Sequence, residues 1–473
     1  MAQKNDTPIL ILSLLITLGL LGFGGWWLAR QLGLFSSSGS VTTIDSGTSP
    51  TPSPSPSGSY SLSTGDRLIL PDGASPQKQQ AVEAIAKGNY DQAIALLDQS
   101  LAQNRNDPEA RIYLNNAQIG DQTSYTIAVA IPASSAPDAA LEILRGVAQA
   151  QTEINDAGGI QGTPLKVLMA DDANNPQTAT KLADALVDQK DVLAVIGHFS
   201  SDTSLAASAI YQQAGLVMMS PTSTSVALSS VGDYIFRTVQ SDRIAADSLA
   251  RHMIEQMGVR NVAVFYNSQS DYSKSLKDAF SSIVLTEGGN VVAEIDLNTA
   301  ASFNAFDSLK QARDRGAEAL MLAANTPTRS QAFQVITANQ GQLKLLGGDS
   351  LYNAEILQTV GQDAVGMVIA APWNRDANPN SPFPAAARQM WGGDVSWRTA
   401  LAYDATMAIA NGLRANPTRA GLQEALSAPS FSVPGASGNI QFMASGDRNR
   451  AAQLVTIEPG NRSGYGYDFV PVP

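Results

Sequence analysis

Few side chains in this chain could carry out covalent chemistry. Its 473 residues include no cysteine and only two histidines, His198 and His252. The sequence therefore lacks thiolate nucleophiles and cysteine metal ligands, and it offers little for a Ser-His-Asp centre. It also contains no Walker loop, no Gly-x-Ser-x-Gly elbow and no dinucleotide fingerprint after a strand. An enzyme is the least favoured interpretation, and we predict no cofactor and no metal ion.

One carboxylate pair, Asp171 and Asp172, could serve acid–base or metal chemistry. The central Gly and closing Glu of a calcium-binding loop are missing, so we interpret the pair as part of a loop that caps the helix beginning at Pro176. His198 follows a predicted strand and is expected to shape a cleft. His252 is followed by Met-Ile-Glu, which is not the zinc-helix spacing, and is interpreted as part of a solvated helix face.

The polar groups best placed for binding follow predicted strands. Residues 199–203, Phe-Ser-Ser-Asp-Thr, come directly after one strand and open a predicted helix over residues 204–214. A helix N-terminus offers unpaired amides and the positive end of the helix dipole, so we expect Ser200 and Ser201 to face a crevice at the carboxyl ends of the strands. Ser and Thr are also preferred helix N-caps, which is the competing structural interpretation of Ser201 and Thr224.

Composition narrows the class of partner. The chain carries 30 Lys and Arg against 42 Asp and Glu, a formal net charge of -12. This balance argues against nucleic acid as a partner, because phosphate binding needs clustered basic residues. Hydrophobic residues make up 44% and charged residues 15%. Most of the chain can therefore bury a core, and its length favours several domains.

From Tyr125 onward, short apolar strands alternate with helices. The predicted strands lie at residues 125–131, 165–169, 193–197, 215–219, 262–266, 291–295, 319–322, 343–346 and 367–370. Such alternation is typical of an α/β fold with doubly wound parallel sheets, and about 350 residues are too many for one sheet.

We therefore predict a two-lobed domain over residues 125–473. Lobe 1 is expected at about 125–240 and 372–433, and lobe 2 at about 241–371 and 434–473. The chain is expected to cross between the lobes near residues 236–240, near Pro372 and near Val433-Pro434.

Residues 1–35 are predicted to form a transmembrane anchor or a signal segment. Residues 8–29 contain no charged side chain, and roughly 20 apolar residues span the hydrocarbon core of a bilayer. Trp26 and Trp27 end this stretch, where indole rings favour the membrane interface. A cleaved signal peptide is the alternative. We favour an uncleaved anchor because the apolar stretch is long and no convincing small-x-small site follows it.

Two further segments precede the lobes. Residues 36–74, rich in Ser, Thr, Pro and Gly, are predicted to be a disordered linker that acts as a spacer. Residues 75–120 are predicted to form a helical hairpin, followed by a third helix that starts after Asp107-Pro108. Residues 88–94, Gly-Asn-Tyr-Asp-Gln-Ala-Ile, resemble the tetratricopeptide repeat, in which the Gly lets two helices approach. A single hairpin docked on its neighbour is an equal alternative, since fewer than the roughly three repeats needed for stability are present.

Several blocks in the second part of the chain resemble, in order and spacing, the branched-chain (Leu/Ile/Val-type) amino-acid receptors of ABC importers, which are type I periplasmic binding proteins. The blocks are INDAGGIQG at 154–162, DDANNP at 171–176, VIGHFSS at 195–201, SPTST at 220–224, FRT at 236–238, YDA at 403–405, GNIQF at 438–442 and GDR at 446–448. The resemblance covers residues 125–473. It implies a receptor that clamps a free amino acid between two lobes.

The resemblance also implies how the ligand is held. Ser201 would give a hydroxyl and an N–H to the α-carboxylate, and Thr222 and Thr224 would supply a carbonyl and a hydroxyl. Tyr272 matches a cleft tyrosine, and Asp349 matches the acid that pairs with the α-ammonium, where the family often has Glu. The residues that the resemblance implies as ligand-binding are Phe199, Ser200, Ser201, Thr222, Thr224, Tyr272, Asn325 and Asp349. The structural alternatives are a turn role for Asp349 and surface packing for Tyr272.

The chain departs from the family pattern at three places. The first strand–helix loop, residues 132–137, lacks the tyrosine or similar group often found there. Asn325 stands where an aromatic residue commonly lines the side-chain pocket, and Trp397-Arg398 is expected to approach the same pocket. These departures put a strictly aliphatic ligand in doubt and leave polar or broad-range amino acids open.

We therefore predict an extracytoplasmic solute receptor that serves an ABC permease of the inner membrane. It is expected in the periplasm, anchored by the N-terminal helix, or free in the periplasm if that helix is cleaved. One alternative is a ligand-independent adaptor that activates cell-wall synthesis enzymes, because helical repeats before this fold resemble the lipoproteins that activate penicillin-binding proteins. A sensor that reports ligand occupancy to a partner kinase is another. The full set of candidate ligand-binding residues argues against a pure adaptor.

Overall fold

Two β-sheets organise the part of the chain that the computed structural model describes, residues 60–298 and 303–472. The first sheet has the order β1-β3-β2-β4-β5-β6, with β1 Ser61–Ser63, β2 Tyr125–Ile131, β3 Leu165–Asp171, β4 Val192–Ile196, β5 Val217–Ser220 and β6 Ile235–Arg237. The second has the order β13-β12-β11-β10-β9-β7-β8, with β7 Asn261–Tyr266, β8 Asn290–Asp296, β9 Ala319–Ala323, β10 Lys344–Gly347, β11 Val368–Ala371, β12 Gln453–Pro459 and β13 Tyr467–Pro471. The strands predicted between residues 125 and 370 are confirmed.

Helices lie on both faces of each sheet. Lobe 1 comprises the first sheet with α1 Pro76–Ala86, α2 Tyr90–Gln103, α3 Pro108–Ile119, α4 Pro137–Asp156, α5 Pro176–Asp188, α6 Ser201–Ala214, α12 Phe383–Trp391, α13 Trp397–Gly412 and α14 Arg419–Ser427. Lobe 2 comprises the second sheet with α7 Asp242–Arg251, α8 Asp271–Thr286, α9 Ala305–Asp314, α10 Arg329–Asn339 and α11 Ala354–Thr359. The predicted two-lobed α/β architecture is confirmed.

The sheets are mixed, whereas we predicted two parallel sheets. β1 runs antiparallel to β3, β12 antiparallel to β11, and β13 antiparallel to β12. All other pairs are parallel. The short connection between β12 and β13 explains one of these edges, because a short loop joins neighbouring strands only when they are antiparallel.

Alternation along the central strands produces a core on each face of the sheet. In β2, Ile127 and Val129 join the cluster packed under α4 and α13, whereas Ala128 and Ala130 join the cluster under α5 and α6. This is the period of two that a strand imposes on its side chains. Lobe 2 likewise has two clusters, one on each face of its sheet. Both faces being buried explains the nearly continuous apolar runs in the sequence.

The predicted linker ends earlier than residue 74. Residues 61–63 form β1, which pairs with the edge of β3, and Ile69 is buried. The carboxylate of Glu109, itself fully buried, accepts hydrogen bonds from the Ile69 and Leu70 amides at 2.6 and 3.1 Å. The prediction of a spacer is therefore wrong for residues 60–74. The remainder of the linker and the predicted anchor lie outside the described residues.

The helical segment packs on lobe 1 and shares its core. On α3, Asn116 donates to the Val167 carbonyl of β3 (2.7 Å) and accepts from the Val167 amide (3.1 Å). Gly88 adopts φ +73°, and the position of a Cβ there is open, so this Gly serves the turn rather than a close helix approach. Within residues 60–298 and 303–472, no helix is both long enough and apolar enough to cross a bilayer.

Three crossing segments join the lobes, and the side chain of Gln240 ties them together. Gln240 lies on the first crossing, and its Nε2 donates to Pro372 O (3.1 Å) on the second and to Ala451 O (3.0 Å) on the third. The third crossing was predicted near Val433-Pro434, and this boundary is wrong. Residues 434–450 stay on lobe 1, since the Gly446 carbonyl accepts from the Arg237 amide at 3.0 Å.

Candidate functional site

The lobe 1 wall of the cleft between the lobes is built by the loops that follow β4 and β5. Ser200 is the N-cap of α6, and its Oγ accepts from the Thr203 amide at 3.3 Å. Ser201 is therefore not the cap. Its buried Oγ accepts from the Ser225 amide at 3.2 Å, which links the two loops.

Hydroxyl groups hold these two loops in register. Ser220 and Ser223 donate to the His198 carbonyl at 2.8 and 3.2 Å, and Thr222 Oγ1 donates to the Phe199 carbonyl at 2.7 Å. The hydroxyl-rich sequence at 220–224 thus orients the loop that opens α6. A loop fixed in this way can present amides to a ligand without reorganising.

The lobe 2 wall is built by Tyr272, on the first turn of α8, and by Asp349, which follows β10. The Tyr272 hydroxyl accepts from the Ser350 amide at 3.4 Å and donates to the Asp349 carboxyl. A Cβ at Gly348 would lie 2.3 Å from the Tyr272 hydroxyl oxygen. The Gly that precedes Asp349 is therefore what lets the tyrosine reach it.

Burial disfavours the ionised forms of two neighbouring carboxyls, Asp349 in this wall and Asp242 behind it. Burial raises the pKa of Asp349, and the Tyr272 hydrogen bond and the positive charge of Arg398 offset part of that rise. Asp242, at the start of α7, is 1% exposed. Burial raises the pKa of Asp242 to about 7, despite a hydrogen bond from Ser275, and the neighbouring Asp349 charge adds to the increase. A cation placed beside Asp349 would relieve both carboxyls.

A cavity of about 330 Å³ lies between the two walls, within the size range of small-molecule sites. The predicted ligand-binding residues that line it are Phe199, Ser200, Ser201, Thr222, Tyr272, Asn325 and Asp349. Thr224 does not line it. Its carbonyl accepts from the Asp242 amide at 2.8 Å, and the contact of its hydroxyl with a ligand stays a prediction.

The cavity also has polar lining residues that sequence analysis did not assign. They include Asp202, Asn267, Gln269 and Arg398. Asn267 follows β7, and its Nδ2 donates to Asn325 Oδ1 at 3.0 Å. The rule that ligands bind at the carboxyl ends of strands could have found Asn267, because it is the first residue after β7, an interior strand of the lobe 2 sheet. Arg398 was expected near the pocket, but without a role.

Direct hydrogen bonds bring the lobes together beside the cavity. Asp202 Oδ1 on α6 accepts from the Asp271 amide at the start of α8, at 2.9 Å. The Val226 amide of lobe 1 donates to Ser275 Oγ of lobe 2, also at 2.9 Å. The cleft is thus bridged along one side while the cavity within it stays open to a ligand.

The acidic pair and the histidine near the cleft have structural partners. Asp171 Oδ1 accepts from the Ala173 amide and Asp172 Oδ1 from the Asn174 amide, at 2.9 and 2.8 Å. His198 is fully buried, with Nδ1 2.6 Å from Asp172 Oδ2. Across residues 60–298 and 303–472, no three metal-ligating side chains cluster. Asp171 ends β3 and Asp172 opens the loop before α5, but the N-cap of α5 is Asn175, whose Oδ1 accepts from the Thr178 amide at 3.0 Å, so neither Asp caps the helix.

Comparison with known proteins identifies the family that this geometry resembles. Residues 124–462 match the family model described as periplasmic binding protein. A leucine-, isoleucine-, valine-, threonine- and alanine-binding protein of Pseudomonas aeruginosa is 27% identical over 315 residues, covering 64% of this chain and 81% of the relative. The Leu/Ile/Val-binding protein of Escherichia coli K12 is 26% identical over 271 residues, covering 56% and 73%.

One solved structure is similar to this chain in both fold and sequence. An ABC transporter substrate-binding protein from Desulfitobacterium hafniense, in complex with Leu, has a TM-score of 0.63 and 26% sequence identity. The similarity covers 73% of this chain and all of that one. The portion before residue 124 lies outside the family match.

Proposed function

The chain belongs to the periplasmic binding protein family, and on this premise we propose that it is an extracytoplasmic receptor that binds a free amino acid between its two lobes for an ABC importer. The cavity carries this proposal, because Asp349 of lobe 2 and the N-terminus of α6 in lobe 1 line the same space. An acid on one wall and amides and hydroxyls on the other suit the two poles of a zwitterion. The function is binding rather than catalysis.

The α-carboxylate is assigned to lobe 1, where Ser200, Ser201 and Thr222 line the cavity at the positive end of α6. The α-ammonium is assigned to Asp349, with Tyr272 holding that carboxylate in place. Thr224 supports the ammonium end indirectly, through its contact with the Asp242 backbone. Each lobe binds one charged end of the ligand, so the ligand stabilises the closed arrangement of the two lobes relative to the open one.

Thermal melting of the full-length protein with each of the twenty L-amino acids tests the function. A ligand present at about 100 times its Kd adds about 2.7 kcal/mol to the free energy of unfolding, which gives a clear rise in Tm. We expect at least one amino acid to produce this rise, with isothermal titration giving one site per chain. If the protein unfolds cooperatively and none of the twenty changes its Tm, the proposed function is wrong.

We predict that amino-acid binding strengthens as the pH rises through about 7. Asp242 has a pKa of about 7 in the folded protein, and that of Asp349 is also raised. An ammonium beside Asp349 favours the ionised form of Asp349 and, at longer range, that of the neighbouring Asp242, so binding releases protons. Titrations between about pH 5.5 and about pH 8 would show Kd falling, and the heat of binding would depend on the ionisation enthalpy of the buffer.

The same carboxyl affects stability with the opposite sign. The pKa of Asp242 in the folded protein is raised above the ordinary Asp value of about 3.9. Its contribution to the free energy of unfolding of the ligand-free protein is therefore fully present below about pH 4 and is lost as the pH rises through about 7. The variant Asp242→Asn should flatten both profiles. A Kd that stays constant across this range in the wild type would contradict the prediction.

The apolar stretch at residues 8–29 is proposed to remain as a membrane anchor, with the Ser/Pro/Thr-rich residues up to about 59 as the spacer. Intact-mass measurement of the protein from a membrane fraction distinguishes an uncleaved chain from a processed one found in the periplasm. For the helical segment we propose a supporting role on lobe 1, because α3 covers the edge of β3. The resemblance to the tetratricopeptide repeat remains a proposal about its origin.

A further inference from the structure

Arg398 is a buried cation in the wall of the amino-acid cavity, where a receptor for aliphatic side chains has no use for one. It lies on the first turn of α13, and the residue is 6% exposed. It lines both the 330 Å³ cavity and an adjoining one of about 480 Å³ toward the start of α4. The guanidinium therefore lies between the ligand space and further room in the cleft.

Three contacts fix the position of this guanidinium. Its Nη1 donates to Glu142 Oε2 at 2.8 Å, and its Cζ lies 5.8 Å from the centroid of the Phe199 ring and 4.6 Å from that of Trp397. A guanidinium packed on aromatic rings is held in a defined plane. Because Phe199 also lines the cavity, one of the groups that hold the guanidinium is itself part of the ligand site.

The donors of Arg398 are underused. A guanidinium has five N–H donors, and in the described part of the chain Nη1 makes the hydrogen bond to Glu142 while Nε has no partner. The indole Nε1 of Trp397, a residue 1% exposed, also has no partner there. Buried donors without partners are costly, so an acceptor oxygen entering this corner would be stabilised.

We propose that the bound amino acid has a side chain that ends in a carboxamide, and that the Arg398 guanidinium donates a hydrogen bond to the carboxamide oxygen. This inference rests on the proposed function and names the substrate class of that site. A neutral acceptor fits better than a carboxylate because Glu142 already pairs with Arg398 and Asp349 and Asp202 already line the cavity. The amide groups of Asn267 and Asn325 on the opposite lobe offer donors and acceptors to the carboxamide nitrogen and oxygen.

Calorimetric titration of the full-length protein with glutamine, glutamate and leucine tests the proposal. We expect glutamine to bind most tightly. Tighter binding of leucine than of glutamine would overturn this inference while leaving the proposed amino-acid receptor intact, and tighter binding of glutamate would overturn the carboxamide assignment. If none of the twenty amino acids binds, it is the proposed function that fails.

Variants then separate specificity from structure. Arg398→Met keeps the length of the stem and removes the donors, and it should weaken glutamine binding by on the order of 10- to 100-fold while leaving leucine binding equal or stronger. The double variant Glu142→Gln/Arg398→Met removes the unpaired acid that the single change leaves. Arg145→Met, a change on α4 beside the outer cavity alone, is the matched control and should change neither affinity. Equal weakening of glutamine and leucine in the Arg398 variants would assign Arg398 a structural role and overturn the proposal.

Discussion

We expect the variant Asp349→Asn to weaken amino-acid binding strongly without unfolding the protein. The change keeps the shape of the side chain and an oxygen that can accept from the Tyr272 hydroxyl, but it removes the negative charge on the cavity wall. Loss of one partner of a buried ion pair costs about 2–5 kcal/mol, so Kd should rise by on the order of 30- to 4,000-fold. Titration calorimetry with the tightest-binding amino acid measures this directly.

The stability of the same variant distinguishes a binding role from a structural one. Because burial raises the pKa of Asp349, its ionised form destabilises the ligand-free protein. The variant Asp349→Asn should therefore have an unchanged or higher Tm at about pH 8. Asp349→Ala should lose binding as well. Asp314→Asn, on an exposed face of α9, is the matched control, since its side chain is 61% exposed. Unchanged affinity in both Asp349 variants would contradict the assignment of the α-ammonium to Asp349 of lobe 2.

Sequence reasoning succeeded where local pattern and strand ends determine the outcome. The strands between residues 125 and 370, the order of the two sheets along the chain and the loops at 199–203 and 220–224 follow from short-range rules. Since the carboxyl ends of neighbouring parallel strands meet at one edge, these loops had to share a cleft. The observation that Asn267 lines the same cavity extends that rule to a residue we had not assigned.

It failed where contacts distant in sequence decide the position of an irregular segment. Residues 434–450 contain no helix or strand of their own, so nothing local indicates which lobe holds them. The structure ties them to lobe 1 through Asp404, whose Oδ1 accepts from the Ala436 amide at 2.6 Å. A Cβ at Gly435 would lie 2.3 Å from that oxygen. The YDA block and the residues before the GNIQF block are thus two halves of one contact, which their order in the sequence does not reveal.

Thr224 and Arg398 show the same limit at the site. Thr224 belongs to the loop that lines the cavity, but its carbonyl accepts from the Asp242 amide at 2.8 Å, which ties it to the start of α7 in lobe 2. Arg398 lies on α13, far along the chain from Phe199, and it reaches the cavity because that helix packs on α4. Only tertiary packing brings these groups to the positions they occupy.

Arg237 is the residue in the crossover block whose replacement should affect both the fold and the site most strongly. It is 1% exposed, and its Nε donates to Asp447 Oδ1 of the GDR block at 2.6 Å. Its Nη1 donates to the Ser225 carbonyl and its Nη2 to Ser229 Oγ, each at 2.7 Å. One side chain thus joins the segment 434–450 to the loop that carries Thr222 and binds Ser201.

The variant Arg237→Met should lower the free energy of unfolding by about 3–5 kcal/mol, because it leaves the buried Asp447 without its cationic partner and two loop groups without their donor. Chemical denaturation measures this loss. Arg251→Met is the control, since the Arg251 side chain is 48% exposed, and an exposed ion pair contributes only about 0–1 kcal/mol.

A double variant separates the two roles of Arg237. Arg237→Met/Asp447→Leu replaces the whole ion pair with apolar side chains, which is often neutral for stability, so it should recover much of the lost unfolding free energy. It cannot restore the hydrogen bond to the Ser225 carbonyl, so the loop that contacts Ser201 stays loose and amino-acid binding should remain weak. If the double variant regains full affinity together with its stability, the loop does not depend on this guanidinium, and the cleft wall of lobe 1 is held by the hydroxyl contacts to His198 and Phe199 alone.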